Sequence, residues 1–347
     1  MPTSSAQSRR SPPNACTLTA PKPAANAPTG RLAADPTSKV VQLHKDNHLR
    51  GILFLLGSGI VFTILDSLAK ETSTFIPVLQ VAWGRYVFHV VFLPFYAERP
   101  VGAPVWSATR WARMFATKHP WLQIARSLLL LGATLFFFGA VSYVPLAEAQ
   151  AVAFIEPLLI TAIAHFFLGE RVGVRRWLAI LVGFIGVLVV IRPGFGMLHW
   201  GMLLSLGSAG CGSIYATLTR IVSRKDSAGT SLAYAGLAGF VGLSLAMPLV
   251  WQPASSHVWM LFFALGISGG LGHFLMIKAF GAAPGGTLAP FIYVQMLWMV
   301  IVGFVWFGDW PAVTTWIGIA LIVGSGLYAL HRERIRARER ARISTHS

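Results

Sequence analysis

"EAQAVAFIEPLLITAIAHFF" runs from Glu148 to Phe167. The stretch is apolar enough for a hydrophobic interior. Yet it holds two glutamates, a histidine, and a proline directly after the second glutamate. Soluble cores almost never bury such charges unpaired. A helix face turned to lipid excludes them. The glutamates therefore point to a helix in apolar surroundings that shows polar groups to a shared interior.

The rest of the chain agrees. Of its 347 residues, 55% are hydrophobic and only 12% charged, against about 25% charged in ordinary soluble domains. Mean hydropathy is +0.63. This reads as an all-α polytopic membrane protein. The net charge of +16 does not imply nucleic acid as a partner, because the basic residues sit in the tails and between apolar runs. The two cysteines, Cys16 and Cys211, lie far apart and give no disulfide or zinc framework.

Residues 1–48 are rich in Pro, Ala, Ser and Thr without apolar periodicity, which reads as a disordered tail. It contains no apolar segment of a cleavable signal, so the run from Gly51 serves as an uncleaved first span. Ten apolar runs follow, near 51–69, 76–96, 121–143, 146–168, 175–192, 199–219, 229–250, 257–280, 287–307 and 311–331. Most are long enough to cross roughly 30 Å of hydrocarbon as helices. With the N-terminus inside, the inner loops hold Arg99, Arg110, Arg113, Lys118, Arg171, Arg175, Arg176, Arg220, Arg224 and Lys225. The outer loops hold little beyond Lys70 and Arg192, and the arginine-rich tail 332–347 is inside as well. The expected location is the inner membrane, multi-pass, with both termini cytoplasmic.

The chain also repeats itself. "GILFLLGSGIVFTILDSLAK" (Gly51–Lys70) and "GMLLSLGSAGCGSIYATLTR" (Gly201–Arg220) match at seven of twenty positions without a gap. Further along, a shift of 139 residues superposes Pro145 on Pro284, Trp177 on Trp316, and "LGERV" on "FGDWP". Two halves of five spans each are expected, at 49–194 and 199–331. Five is odd, so the second half enters the membrane inverted. Inverted repeats of this kind face each other across a site near the midplane and alternate its access.

"AVAFIEPLLITAIAHFFLGERVGVRRWLAILVGFIGVLVVIRPG" resembles the end of a repeat in the drug/metabolite transporter superfamily, in its EamA branch. The matching features are the proline in the fourth span, "GER" at its end, and a glycine-punctuated fifth span. The second half departs from this, with "FGDWP" for the acidic ending and Met296 where Pro157 stands. The resemblance covers residues 49–331. It implies a ten-helix secondary transporter of a small metabolite, with amino acids and related solutes as the class suggested. "LDSLAK" and "KAFGAAPGGTLAPF" resemble the S-adenosylmethionine-uptake type. No enzymatic activity or cofactor is implied.

Ionisable residues within spans are costly and normally face the interior. Glu156 lies mid-span. Pro157 has no N–H, so the carbonyl of Ala153 loses its helical partner and leaves a polar spot beside the carboxyl. Two readings stand for Glu156: a substrate or proton ligand, or a packing residue at a helix break. Its repeat counterpart is Gln295, with Tyr293 nearby to pack against a solute. Glu148, about 12 Å earlier along the helix, reads first as a helix-start carboxylate and otherwise as part of an outer vestibule. Arg85 is near the middle of span two and calls for a carboxylate or an anionic substrate, with Glu156 and Asp66 the nearest choices. His89 lies one turn on. Arg126 and Lys278, near the inner ends of their spans, read as cations that snorkel to the interface.

The expected partners are a small-molecule substrate, the lipid bilayer and protons. A homodimer is compatible with the pattern. Two other functions have some footing in the sequence. "GISGGLGH" (Gly266–His273) contains a Gly-x-Ser-Gly around Ser268, as in intramembrane proteases. However, His273 lies five residues on along the same helix, off that face. A non-transporting scaffold is the third. No phosphate-cradling loop is present, which argues against an ATP-driven pump.

Overall fold

The computed structural model describes residues 47–96, 114–168, 173–192, 200–222, 226–283 and 285–344. The expected tail over 1–48 falls almost wholly outside them, as do Cys16, Arg99, Arg110, Arg113, Arg171, Arg224 and Lys225. Among the described residues there are twelve helices and no strand. They are α1 (Asn47–Thr72), α2 (Val78–Tyr96), α3 (Pro120–Tyr143), α4 (Leu146–Ala153), α5 (Glu156–Leu168) and α6 (Val174–Ile191), then α7 (Trp200–Val222), α8 (Ala228–Val250), α9 (Ser256–Ala282), α10 (Gly285–Ile292), α11 (Gln295–Phe307) and α12 (Val313–Ser344).

Eight helical stretches are long and apolar enough to cross a membrane. Two shorter apolar helices, Val78–Pro94 and Trp177–Ile191, stand where the other two spans were expected. The expected fourth and ninth runs are each broken into two helices: α4 and α5, then α10 and α11.

The solvation pattern is the reverse of a soluble protein's. Leu245, Leu249, Phe167 and Val305 are exposed, while Arg85, Arg126, Gln80 and Gln123 are buried. An exterior this apolar suits lipid and would aggregate in water. Polar side chains inside must then find partners among themselves or on the backbone. Ser227 and Ser255 accept from backbone N–H groups and cap α8 and α9. Gly308 ends α11 at φ 71°, the left-handed conformation that a side chain disfavours.

The main packing partners are α1 with α9, α3 with α7, and α6 with α12. Helix α2 lies against both α8 and α9, and α8 also packs on α3. The broken helices follow one scheme: α4 and α5 lie on α7, while α10 and α11 lie on α1. Small residues permit close approach. A Cβ on Gly266 would stand 2.1 Å from the Cβ of Phe88, and one on Gly84 would stand 2.2 Å from the ring of Phe262.

One hydrogen bond occurs twice. Ser58 donates from α1 to the carbonyl of Gly272 on α9, at 2.9 Å. Ser208 donates from α7 to the carbonyl of Ala133 on α3, also at 2.9 Å. Ser208 is 150 residues after Ser58, and Gly272 is 139 after Ala133. These are the two registers of the repeat.

Candidate functional site

The helix breaks are the natural starting point, because broken spans free backbone groups at depth. Helix α4 ends at Ala153 and α5 begins at Glu156, whereas α10 ends at Ile292 and α11 begins at Gln295. Every boundary of the second break follows the first by 139 residues. The linking residues are Phe154 and Ile155 in one, Tyr293 and Val294 in the other. Shortened turns carry the chain across: Ile155 N–H donates to Val152 O at 3.2 Å, and Val294 N–H to Phe291 O at 3.2 Å. The rings of Phe154 and Tyr293 meet edge to face at 5.4 Å between centroids. Matching positions of the two halves are thus in contact.

Glu156 opens α5, so its carboxylate lies at the positive end of a helix dipole. Pro157 follows inside the first turn, where a missing N–H costs nothing. The carboxylate rests against α7, where a Cβ on Gly212 would lie 2.9 Å from Oε2. Gln295 sits differently. Its Cβ is 3.6 Å from where a Cβ on Gly59 would be. Its side chain lines a largely apolar pocket of about 470 Å³, including the open mouth, with Ser58, Phe62, Met276, Phe280 and Trp298. Phe62 holds in α1 the place that Gly212 holds in α7.

A second polar group lies behind Phe62. The Phe62 ring is edge-on to His273 at 5.0 Å, and His273 is edge-on to His89 at 6.4 Å. Arg85 completes the group. The expectation of a carboxylate partner is corrected here: among the described residues, Arg85 donates only to the Thr134 hydroxyl, at 2.9 Å. Its guanidinium also lies over the rings of Tyr86 and Phe138, at 5.3 and 5.5 Å. Asp66 is buried and within electrostatic reach of Arg85 but forms no ion pair with it. Glu156 is not part of this group. The geometry is that of a charge held by dipoles and ring faces.

Arg126 also departs from expectation. It does not snorkel; it is among the most completely buried side chains, at 2% exposure. It donates to Tyr215, to Thr219 at 3.1 Å, and to the carbonyl of Ser231, tying α3 to α7 and α8. Lys278 is exposed, with its ammonium 5.4 Å from the Phe274 ring centre, as a snorkelling cation should be.

Glu148 is in the first turn of α4, but it accepts a hydrogen bond from Thr315 on α12 at 3.1 Å and so joins two spans. Tyr293 is buried, and its hydroxyl points at Gly326, where a Cβ would lie 1.8 Å away. It packs the break against Phe154. Lys70 pairs with Asp309 at 2.7 Å, beneath the Phe307 ring. Among the described residues, Ser268 hydrogen-bonds no histidine, and no group of three His, Cys, Asp or Glu is placed to hold a metal.

The structure therefore assembles two polar regions. One joins Arg85, Thr134, His89, His273 and Asp66. The other is Glu156 against Gly212, with Gln295 and Phe62 as the repeat-related pair; each pair draws one residue from either half. Thr134, Gly212 and the interior role of Arg126 do not stand out as site features in the sequence, and His273 does so only as a candidate base for Ser268. Gly212 was findable, since the 150-residue register sets it opposite Phe62.

The model of the EamA-like transporter family matches this chain twice, over residues 49–192 and 199–330. A riboflavin transporter of Vibrio cholerae is 28% identical over 86% of this chain and 99% of its own length. An S-adenosylmethionine uptake transporter of Rickettsia prowazekii is 28% identical over 83% of this chain and 94% of its own. A riboflavin transporter of Rhizobium johnstonii is 26% identical over 89% and 97% respectively. A solved crystal structure at 22% identity superposes with a TM-score of 0.55 over 81% of this chain and 97% of that one, which speaks to the fold alone. With the family model matched over nearly the whole helical region, and helices built for lipid, the chain belongs to the EamA-like transporter family and is a multi-pass membrane transporter.

Proposed function

We propose that the protein is a secondary carrier that moves a small metabolite across the cytoplasmic membrane by alternating access, with two five-span halves inserted in opposite orientations. The observation that carries this reading is the pair of helix breaks, 139 residues apart, whose linking rings Phe154 and Tyr293 touch. The repeated Ser58 and Ser208 hydrogen bonds support it. So does the exchange of packing partners, in which α1 with α9 corresponds to α7 with α3. The halves are assigned to residues 49–194 and 199–331, and both termini to the cytoplasm.

In this account Arg85 and Asp66 form the midplane site. Glu156, at the head of a half-helix, takes up and releases the coupling proton. Gln295 offers an uncharged counterpart in the second half. The pocket beside Gln295 is open at the surface, whereas the Glu156 carboxylate packs directly on Gly212. The names of the relatives, riboflavin and S-adenosylmethionine, widen the solute class beyond amino acids to metabolites with a heteroaromatic ring.

The test is uptake by purified protein in liposomes, using labelled riboflavin, S-adenosylmethionine, amino acids, nucleotides and organic acids, with and without an imposed pH gradient. Saturable uptake of at least one solute, stimulated by the gradient, is expected. No exchange of any of these solutes would leave a non-transporting scaffold as the better account.

A further inference from the structure

Arg85 and Arg126 are both deeply buried, at 6% and 2% exposure. A guanidinium keeps its charge at any accessible pH, and charge within the hydrocarbon depth demands compensation. Neither residue forms an ion pair among the described residues. Arg85 rests on one hydroxyl and two rings. Arg126 rests on two hydroxyls, a carbonyl and the Tyr215 ring. Each leaves its Nε buried without a partner, although buried polar groups are almost always satisfied. His89 adds a third such atom. Its ring bonds the backbone of Leu232, while Nε2 is buried and unpaired.

These atoms belong to one interior. His273 is within electrostatic reach of Arg85, His89 and Arg126 alike. Thr134, which holds Arg85, is eight residues from Arg126 on α3, about 12 Å along the axis. The nearby carboxylates do not close the account. Asp66 approaches Arg85 without pairing. Asp226 is taken by Thr117 and Gln123, the latter at 2.9 Å. Packing also holds the open valences in place. A Cβ on Gly269 would lie 3.3 Å from Arg85 Nε, and one on Gly236 would lie 3.3 Å from His89 Nε2. Both orphan atoms face bare glycine, on α9 and α8.

We propose that the transported solute is an organic anion, whose carboxylate or phosphate is received by Arg85, with Arg126 as a second station on its path. Two unpaired guanidiniums with free donors match an anion's oxygens. His89 Nε2, with its ring's other nitrogen engaged by Leu232, accepts a hydroxyl of the same solute. A cationic solute meets repulsion at both stations. The inference rests on the carrier reading but narrows it, because that reading admits neutral and cationic metabolites equally.

The experiment is equilibrium binding to the full chain in lipid nanodiscs, with labelled probes matched in shape but not in charge. Riboflavin is set against riboflavin 5′-phosphate, and adenosine against adenosine 5′-monophosphate. Succinate, inorganic phosphate and S-adenosylmethionine complete the set. At least one anion should bind, with its affinity tenfold or more above that of its uncharged counterpart where it has one. Arg85→Gln should weaken it at least tenfold and erase the preference for charge. Arg85→Lys, which keeps the charge and guards against misfolding, should retain part of both. Arg126→Gln should weaken binding less than Arg85→Gln. The proposal is overturned if a neutral or cationic probe binds as tightly as the anions, if no probe binds, or if the preference survives Arg85→Gln. Tight binding and uptake of a neutral solute would sink this inference while leaving the carrier intact.

Discussion

The break at Phe154–Ile155 and the break at Tyr293–Val294 share their geometry and differ in their chemistry. Both fall between an eight-residue and a thirteen-residue helix. In the first, Pro157 follows the break. In the second, Met296 stands at that place, and the proline, Pro290, lies inside α10. The break is therefore held by packing, not by proline. Its anchors are the Phe154–Tyr293 contact and the seating of Tyr293 against Gly326. Chemistry then diverges. The first half sets a carboxylate against glycine, Glu156 on Gly212; the second sets an amide beside a ring, Gln295 with Phe62. One break carries the charge and the other borders the open pocket.

Substitutions can break this comparison, and the largest effect is expected at Gly326. A Cβ there would lie 1.8 Å from the Tyr293 hydroxyl, so Gly326→Val should destabilise the protein by about 3 kcal/mol, read from thermal unfolding in detergent. Gly326→Val combined with Tyr293→Phe should recover part of that loss, and no recovery would detach Tyr293 from the break. Next is Glu156→Gln, which makes the two halves alike. It should leave the fold intact but remove the stimulation of uptake by a pH gradient, lowering driven uptake about tenfold, or 1.4 kcal/mol. Unchanged stimulation would exclude Glu156 from coupling. Pro157→Ala should change stability by less than about 1 kcal/mol, and a larger loss would restore the proline as the cause of the break. Smallest is Glu148→Gln. Its bond to Thr315 joins two polar groups, and its weakening should cost about 0.5–1 kcal/mol without altering uptake.

Much of the fold was legible in the sequence. Apolar runs mark their own lengths, so the ends of most expected runs fall within a few residues of helix ends, although eight helical stretches, not ten, are long and apolar enough to cross a membrane and the fourth and ninth runs are each broken in two. The 139- and 150-residue registers also hold in the structure, residue for residue, at the breaks and at the Ser58 and Ser208 bonds. What was not legible is rotation. A helix apolar on every side gives no periodic signal of which face turns inward. Arg126 could therefore be read as snorkelling, when it points into the bundle. For Arg85 the sequence suggests a carboxylate or an anionic substrate, because charge suggests charge, whereas among the described residues its hydrogen-bond partner is Thr134, 49 residues away on another helix. Glu148 was read locally as a helix-start residue, but its partner Thr315 is 167 residues distant. Contacts of that separation follow from assembly, and only the repeat register gives the sequence any hold on them.

The opposed insertion of the two halves is the claim on which the rest depends, and Ser73 and Ser223 test it most directly. They are 150 residues apart, one just after each repeat-related helix, α1 and α7. With Cys16→Ser and Cys211→Ser as background, Ser73→Cys and Ser223→Cys would each be treated with a membrane-impermeant thiol reagent, on intact cells and on inverted vesicles. The account predicts labelling of Ser73→Cys only from outside and of Ser223→Cys only from inside. Labelling of both from the same side would contradict it.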